Sequence, residues 1–151
     1  MSEATLIDVL AARDRRAELQ QKMLSSYGLP LISFTLNIAG PIKADAWAAY
    51  AFRQGKAALM AALGSFGYPI RAEEEASSPA GYEWMAAVDT EAVQLKKICV
   101  SIEHGHRMGR LFDMDVIATD GLKISREEER ACLVCGKPGR GCASRRLHPL
   151  T

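Results

Sequence analysis

The chain has 151 residues, 48% of them hydrophobic, and its 19 basic and 18 acidic side chains leave a formal charge of +1. That is the size of one average domain, able to bury a core covering roughly 70% of the surface its unfolded chain exposes. A field this close to neutral argues against a dedicated nucleic-acid binder or a polybasic membrane anchor, and no charge-free apolar run reaches the roughly 20 residues that span a bilayer.

The start, Met1 to Asp8, is acidic and lacks the basic residue and apolar stretch of a secretory signal. Cys99 stands alone in an apolar context, whereas Cys132, Cys135 and Cys142 cluster near the C-terminus, unlike a disulfide framework. Both features lead to the expectation of a cytoplasmic protein.

From Thr5 to about Ser25, helix formers dominate and Leu6, Leu10, Ala17 and Leu24 can share one stripe, which predicts a first helix. Its Arg13-Asp14-Arg15-Arg16 cluster reads as a solvated face that can also contact phosphate. Tyr27-Gly28-Leu29-Pro30 ends it, and Leu31 to Ile38 has the β-branched and aromatic content of a strand, stopped by Gly40-Pro41. Asp45 is the expected cap of a second helix to about Leu63, with Trp47, Tyr50, Ala51, Leu59, Met60 and Leu63 on its apolar face. Tyr68 to Glu75 and Gly81 to Val88 read as a hairpin around Ser77-Ser78-Pro79-Ala80-Gly81. Asp89 or Thr90 should cap a third helix through Ala92, Leu95, Ile98, Cys99 and Ile102, ending near Glu103, with Cys99 in the core. Leu111 to Ala118 gives a further strand, Thr119-Asp120-Gly121 a tight turn and Leu122-Lys123-Ile124 a short return strand. Ser125 and Glu128 have the spacing of a capping box.

This order predicts an α+β fold in a single domain, 1–151, with a mainly antiparallel sheet and helices packed on it. The middle six elements match a β-α-β-β-α-β core, followed by a Cys/His-rich basic tail over 130–151.

Three groups of residues can carry chemistry. In Gly109-Arg110-Leu111-Phe112-Asp113-Met114-Asp115-Val116, strand alternation sends Asp113 and Asp115 to one face and Phe112, Met114 and Val116 to the core. Such a pair can hold Mg²⁺, whose shell is commonly completed by water and substrate phosphates, although alternating acids also occur on plain solvated strands. Arg110, Glu103, His104 and His106 lie just upstream. Arg110 can clamp phosphate oxygens, and a histidine can act as acid or base, or these groups can simply form surface pairs. Asn37-Ile38-Ala39-Gly40-Pro41-Ile42-Lys43 is a strand-to-helix turn that can bind phosphate through backbone N–H groups and Lys43, but it lacks the spacing of a Walker or dinucleotide fingerprint. Finally, Cys132, Cys135, Cys142 and His148 can close a structural Zn²⁺ site; reduced cysteines or a redox Cys-x-x-Cys pair are the alternatives. The tail carries five basic residues (Arg130, Lys137, Arg140, Arg145, Arg146) and no acid, which also allows a zinc-bearing adaptor that docks on an acidic carrier protein or a nucleic acid.

Taken in order, Phe34 to Lys43, Gly109 to Val116, Ile124-Ser125-Arg126 and the Cys132/Cys135/Cys142/His148 tail resemble the CitX family, the apo-citrate lyase phosphoribosyl-dephospho-CoA transferases or holo-citrate lyase synthases. The likeness covers roughly Arg13 to His148. It implies a nucleotidyltransferase-type enzyme that moves the phosphoribosyl-dephospho-CoA group from 2′-(5″-triphosphoribosyl)-3′-dephospho-CoA to a serine of the citrate lyase acyl carrier (gamma) subunit, releasing pyrophosphate. A related transferase acting on another carrier protein is the neighbouring alternative. In the family's role Asp113 and Asp115 would hold Mg²⁺, Arg110 and Lys43 would neutralise phosphate, Asn37 and Arg126 would orient the substrate, and His106 would serve catalysis; neither nucleic acid nor membrane is an expected partner. The family usually reads Glu-Glu-x-His-Pro-Leu-Gly-Arg before the acids. This chain keeps Glu103, His106, Gly109 and Arg110 of that pattern and differs at His104, Arg107 and Met108.

Overall fold

The computed structural model describes residues 4–38 and 45–124. Helix α1 (Leu6–Tyr27) opens on a reciprocal cap, in which Thr5 Oγ1 accepts the Asp8 N–H at 3.0 Å and Asp8 Oδ2 accepts the Thr5 N–H at 2.9 Å. Then follow β1 (Leu31–Leu36), α2 (Ala46–Phe66), β2 (Ile70–Ser78), β3 (Gly81–Val88), α3 (Ala92–Gly105), a 3-10 turn over Gly109–Leu111 and β4 (Phe112–Ile117). The strands form one sheet in the order β2-β3-β1-β4 with every neighbouring pair antiparallel, the arrangement expected of a β-α-β-β-α-β unit.

Alternation along the strands gives the sheet two unlike faces. One carries Ile32, Phe34, Trp84, Ala86, Val88, Phe112, Met114 and Val116, and α2 and α3 bury it with Phe52, Leu59, Leu63, Leu95, Ile98 and Cys99. Phe34 stacks on Phe52 at 5.0 Å between centroids and meets the Phe112 edge at 5.5 Å, contacts that add about 0.5–1.5 kcal/mol each beyond area burial. Gly55 permits this approach, because a Cβ there would overlap the Phe34 ring.

The opposite face grades from apolar to charged in three rows. Ala72, Ala87, Leu31 and Ile117 form the first; Glu74, Met85, Ser33 and Asp115 the second; Ala76, Glu83, Thr35 and Asp113 the third. Helix α1 matches this gradient: Met23 is buried and Leu19 and Leu24 are half-buried over the first row, whereas Arg13, Arg15 and Arg16 lie over the polar rows. The expected stripe on this helix is therefore corrected. Leu6, Leu10 and Ala17 are exposed, and the sheet-facing positions are Ala12, Arg16, Leu19 and Met23, because a polar sheet surface has no use for leucines at that end.

Other boundaries move for equally local reasons. Asp45 does cap α2, its Oδ1 accepting the Ala48 N–H at 2.7 Å; Ala51, Leu59 and Leu63 are buried as expected, but Trp47, Tyr50 and Met60 are exposed and Ala48, Phe52 and Gly55 complete the buried face. The N-cap of α3 is Glu91 rather than Asp89 or Thr90, since Asp89 is engaged by Arg71 at 2.8 Å. The hairpin's first strand runs Ile70–Ser78, and β4 begins at Phe112 because Leu111 closes the 3-10 turn. The return segment forms a single bridge, Ile117 to Lys123, with the Ile124 N–H donating to the Val116 carbonyl at 2.9 Å. Cys99 is fully buried, and burial pushes its thiol up to about 12. No described helix is long and apolar enough to cross a membrane.

Candidate active site

Asp113 and Asp115 project from β4 onto the α1 side of the sheet, opposite Thr35 and Ser33 of β1 respectively. Two residues apart on a strand, their Cβ atoms stand about 6.6 Å from one another. They form one wall of a cleft of about 390 Å³; Arg13, Arg16 and Gln20 of α1 form the other, and Lys123 of the return segment closes the end. Lys123 Nζ lies 3.4 Å from Asp115. Arg16 is held in place by Glu83 of β3 at 3.5 Å, which Arg15 also approaches at 3.7 Å.

The Asp113 carboxyl is held above the ordinary carboxylate range, first by partial burial, then by the Asp115 charge, then by Glu103; Lys123 and Lys96 oppose the shift. After burial, the two carboxylates Asp115 and Glu103 contribute to that shift, and a bound cation would offset their charge. Two carboxylates are a donor set that Mg²⁺ takes with water and phosphate oxygens for the remainder; among the described residues no third His, Cys, Asp or Glu completes a metal-holding group.

The strand that carries the acids is pinned from behind. As the sheet's edge, β4 turns the Met114 N–H and C=O away from β1. Glu103 Oε2 accepts the N–H at 2.8 Å, and Lys96 Nζ, on a side chain only 5% exposed, donates to the carbonyl at 3.0 Å. The first of these groups belongs to the peptide joining Asp113 to Met114, the second to the peptide joining Met114 to Asp115. Both links between the two acids are therefore fixed by α3, which also closes an edge otherwise open to strand pairing.

On the far side of Asp113 lies a second, polar cleft of about 470 Å³ lined by Asn37, Glu103, His104, Gly109, Arg110 and Asp113. Arg110 is exposed on the 3-10 turn, and the backbone N–H of Asn37 donates to the Leu111 carbonyl at 2.7 Å. The tightness of this corner explains Gly109: a Cβ there would overlap the Glu103 carbonyl oxygen. His106 stands elsewhere. Its Nδ1 accepts the Met108 N–H at 3.0 Å and its ring packs on Phe112 at 5.0 Å, on the α2/α3 side of the sheet, where it shapes the turn before Arg110.

Thus the structure gathers Asp113, Asp115, Arg110 and Asn37 around two adjoining clefts and places His106 behind them. Lys43, Arg126, Cys132, Cys135, Cys142 and His148 lie outside the described residues, as does the Ser125/Glu128 capping spacing.

A family model described as apo-citrate lyase phosphoribosyl-dephospho-CoA transferase, CitX, matches residues 4–151. The chain belongs to the CitX family. Among similar CitX proteins, the apo-citrate lyase phosphoribosyl-dephospho-CoA transferase of Escherichia coli O139:H28 is 34% identical over 148 residues, 95% of this chain and 81% of that protein. Those of Citrobacter koseri and Shigella boydii serotype 18 are 33% and 34% identical over the same shares. The retained CitX residues Glu103, Gly109 and Arg110 thereby acquire separate physical explanations: a backbone brace, a steric necessity and an exposed cation beside Asp113.

Sequence reasoning read Arg13 and Arg16 as a solvated face that can also contact phosphate, without placing them opposite the acids, and did not single out Lys123. A signal existed for Arg16, since it occupies the sheet-facing stripe Ala12, Arg16, Leu19, Met23 where an apolar residue is the rule. Lys123 gave none, because its approach to Asp115 depends on how the turn after β4 folds back.

Proposed function

We propose that the chain transfers phosphoribosyl-dephospho-CoA to apo-citrate lyase, taking the group from 2′-(5″-triphosphoribosyl)-3′-dephospho-CoA and placing it on a serine of the acyl carrier subunit. The serine oxygen bonds to the α-phosphorus of the 5″-triphosphate, the bond from that phosphorus to the bridging oxygen breaks, and pyrophosphate leaves as the hydroxyl proton is given up. The observation that best supports this reading is the pairing of Asp113 and Asp115 with cations from two other segments, Arg13 and Arg16 of α1 and Lys123. Phosphoryl transfer asks a protein mainly for in-line positioning and charge neutralisation, and that cleft offers both.

In this reading Asp113 and Asp115 would hold Mg²⁺, which would supply Lewis-acid stabilisation of the charge on the departing pyrophosphate. Arg13, Arg16 and Lys123 neutralise the triphosphate. Arg110, at the mouth of the adjoining cleft, contacts phosphate beside Asp113, and Asn37 in the same cleft helps orient the substrate there. Lys43 and Arg126 are assigned phosphate and substrate contacts, and His106 holds the turn that presents Arg110. Zn²⁺ at Cys132, Cys135, Cys142 and His148 is a separate proposal, supported by three thiolates and an imidazole in one short tail; metal analysis giving well under one equivalent of zinc per purified chain removes it. A cytoplasmic setting goes with the same reading.

The direct test is mass spectrometry of apo carrier subunit incubated with the chain, the triphosphoribosyl donor and Mg²⁺. A mass gain equal to one phosphoribosyl-dephospho-CoA group, with one pyrophosphate released per group, is expected. No gain with competent donor and carrier rejects the assignment.

A further inference from the structure

We infer that a third cleft, between α1 and the β2–β3 half of the sheet, seats the adenosine end of the substrate. This rests on the transfer reaction proposed above. The cleft measures about 300 Å³, and its apolar surface comes from Leu19 of α1 and from Ala76 and Met85 of the sheet. A volume at the lower end of the range for ligand sites suits one nucleoside rather than a whole coenzyme.

Charge distinguishes this cleft from the one beside it. Arg15, Arg16, Lys22 and Glu18 of α1 lie over Glu74 and Glu83 of the sheet, while Glu75 pairs with Lys56 on the opposite face, so cations and carboxylates balance and the rim offers a polyphosphate no excess positive charge. A neutral purine needs none. One of its faces can lie on Leu19 and Ala76, its exocyclic amine can donate to Glu74, and the Arg15 guanidinium can stack on the other face.

Continuity supplies the remaining argument. Arg16 and Ser33 line both clefts, so the two form one path beneath α1. Met85, Ser33 and Asp115 share a row of the sheet, which puts Met85 two strand spacings, about 10 Å, from the acid on β4. In the donor, two linked riboses separate the reacting phosphorus from adenine, and they bridge that gap over Ser33. Arg16, anchored on Glu83, marks the boundary where the triphosphate gives way to the linked riboses.

The test is equilibrium binding of dephospho-CoA, without Mg²⁺, to the full chain and to Ala76→Trp and Asp113→Asn. Ala76 is exposed on the edge strand β2, so a larger side chain there fills the cleft without entering the core. Ala76→Trp should weaken binding by about tenfold or more, whereas Asp113→Asn should change it by less than about twofold. In the transfer assay Ala76→Trp should raise KM for the donor with kcat little changed. A photoreactive azidoadenine form of dephospho-CoA should label peptides containing Leu19 or Met85. Unaltered binding by Ala76→Trp, or labelling confined to other peptides, overturns the proposal. Should Ala76→Trp abolish dephospho-CoA binding while the wild type modifies no carrier, the adenosine seat stands and the transfer reading falls.

Discussion

Glu103 reaches from the last turns of α3 to the backbone of Met114, its Oε2 accepting the N–H at 2.8 Å, and so fixes the residue that separates the two acids of the cleft. Its counterpart Lys96 donates to the Met114 carbonyl at 3.0 Å. Glu103→Ala should therefore destabilise the fold by about 1.5–3 kcal/mol, the range for a hydrogen bond to a charged group. Glu103→Gln should recover part of that loss in denaturant unfolding. A fall in transfer rate larger than the loss of folded protein is expected as well, because the Asp113 peptide is then released.

Gly109→Ala places a methyl group on the Glu103 carbonyl oxygen. The turn must shift to accept it, at a cost of about 1–3 kcal/mol, and Arg110 shifts with it. Thermal unfolding should show the lower stability, and the transfer assay should show a loss beyond what Arg110→Ala alone produces.

Much of this arrangement is legible in the sequence. Alternation along Phe112 to Val116 placed Asp113 and Asp115 on one face, and the six central elements came out in the order that forms the sheet. The facing of α1 was not legible, because choosing between a Leu6/Leu10 stripe and an Ala12/Arg16 stripe requires knowing that the sheet beneath it carries Ser33, Thr35, Glu83 and two aspartates. His104 and His106 drew notice as titratable groups beside the acids. Only tertiary packing shows that the His106 ring belongs to the other side of the sheet, against Phe112.

Asp113 gives the chain a pH signature. Burial, then Asp115, then Glu103 raise its carboxyl above the ordinary 3.8 in the folded state, so the folded chain holds that proton more tightly than the unfolded chain. The ionised form accordingly costs stability at neutral pH, and the cost is relieved as pH falls through the raised value toward 3.8. Metal-free Asp113→Asn should melt above the wild type near pH 7, and the difference should shrink near pH 4. Added Mg²⁺ should raise the wild-type Tm and leave that of Asp113→Asn nearly unchanged.

Arg16→Met keeps an unbranched stem over the sheet and removes the guanidinium. Glu83 retains Arg15 at 3.7 Å, so the change in stability should stay within about 1 kcal/mol, as for a partly exposed ion pair. The transfer rate should fall by about 10²-fold or more if the group neutralises developing phosphate charge. Rate and unfolding measurements on the same preparation separate the two effects.

Cys99 is inert by construction. With its thiol pushed up to about 12 inside the core, alkylation near pH 8 should leave it unmodified in the folded chain and label it fully in denaturant. Peptide mapping after brief iodoacetamide treatment reads this directly.

Under the proposed reaction, transfer takes place between the two acids of β4 and the cations facing them. The most direct measurement is single-turnover modification of the apo carrier subunit by wild type and Asp113→Asn, each first shown to be folded by circular dichroism and thermal unfolding. The variant should fold normally and modify the carrier about 10³-fold or more slowly. A folded Asp113→Asn protein that modifies the carrier at the wild-type rate would contradict this placement.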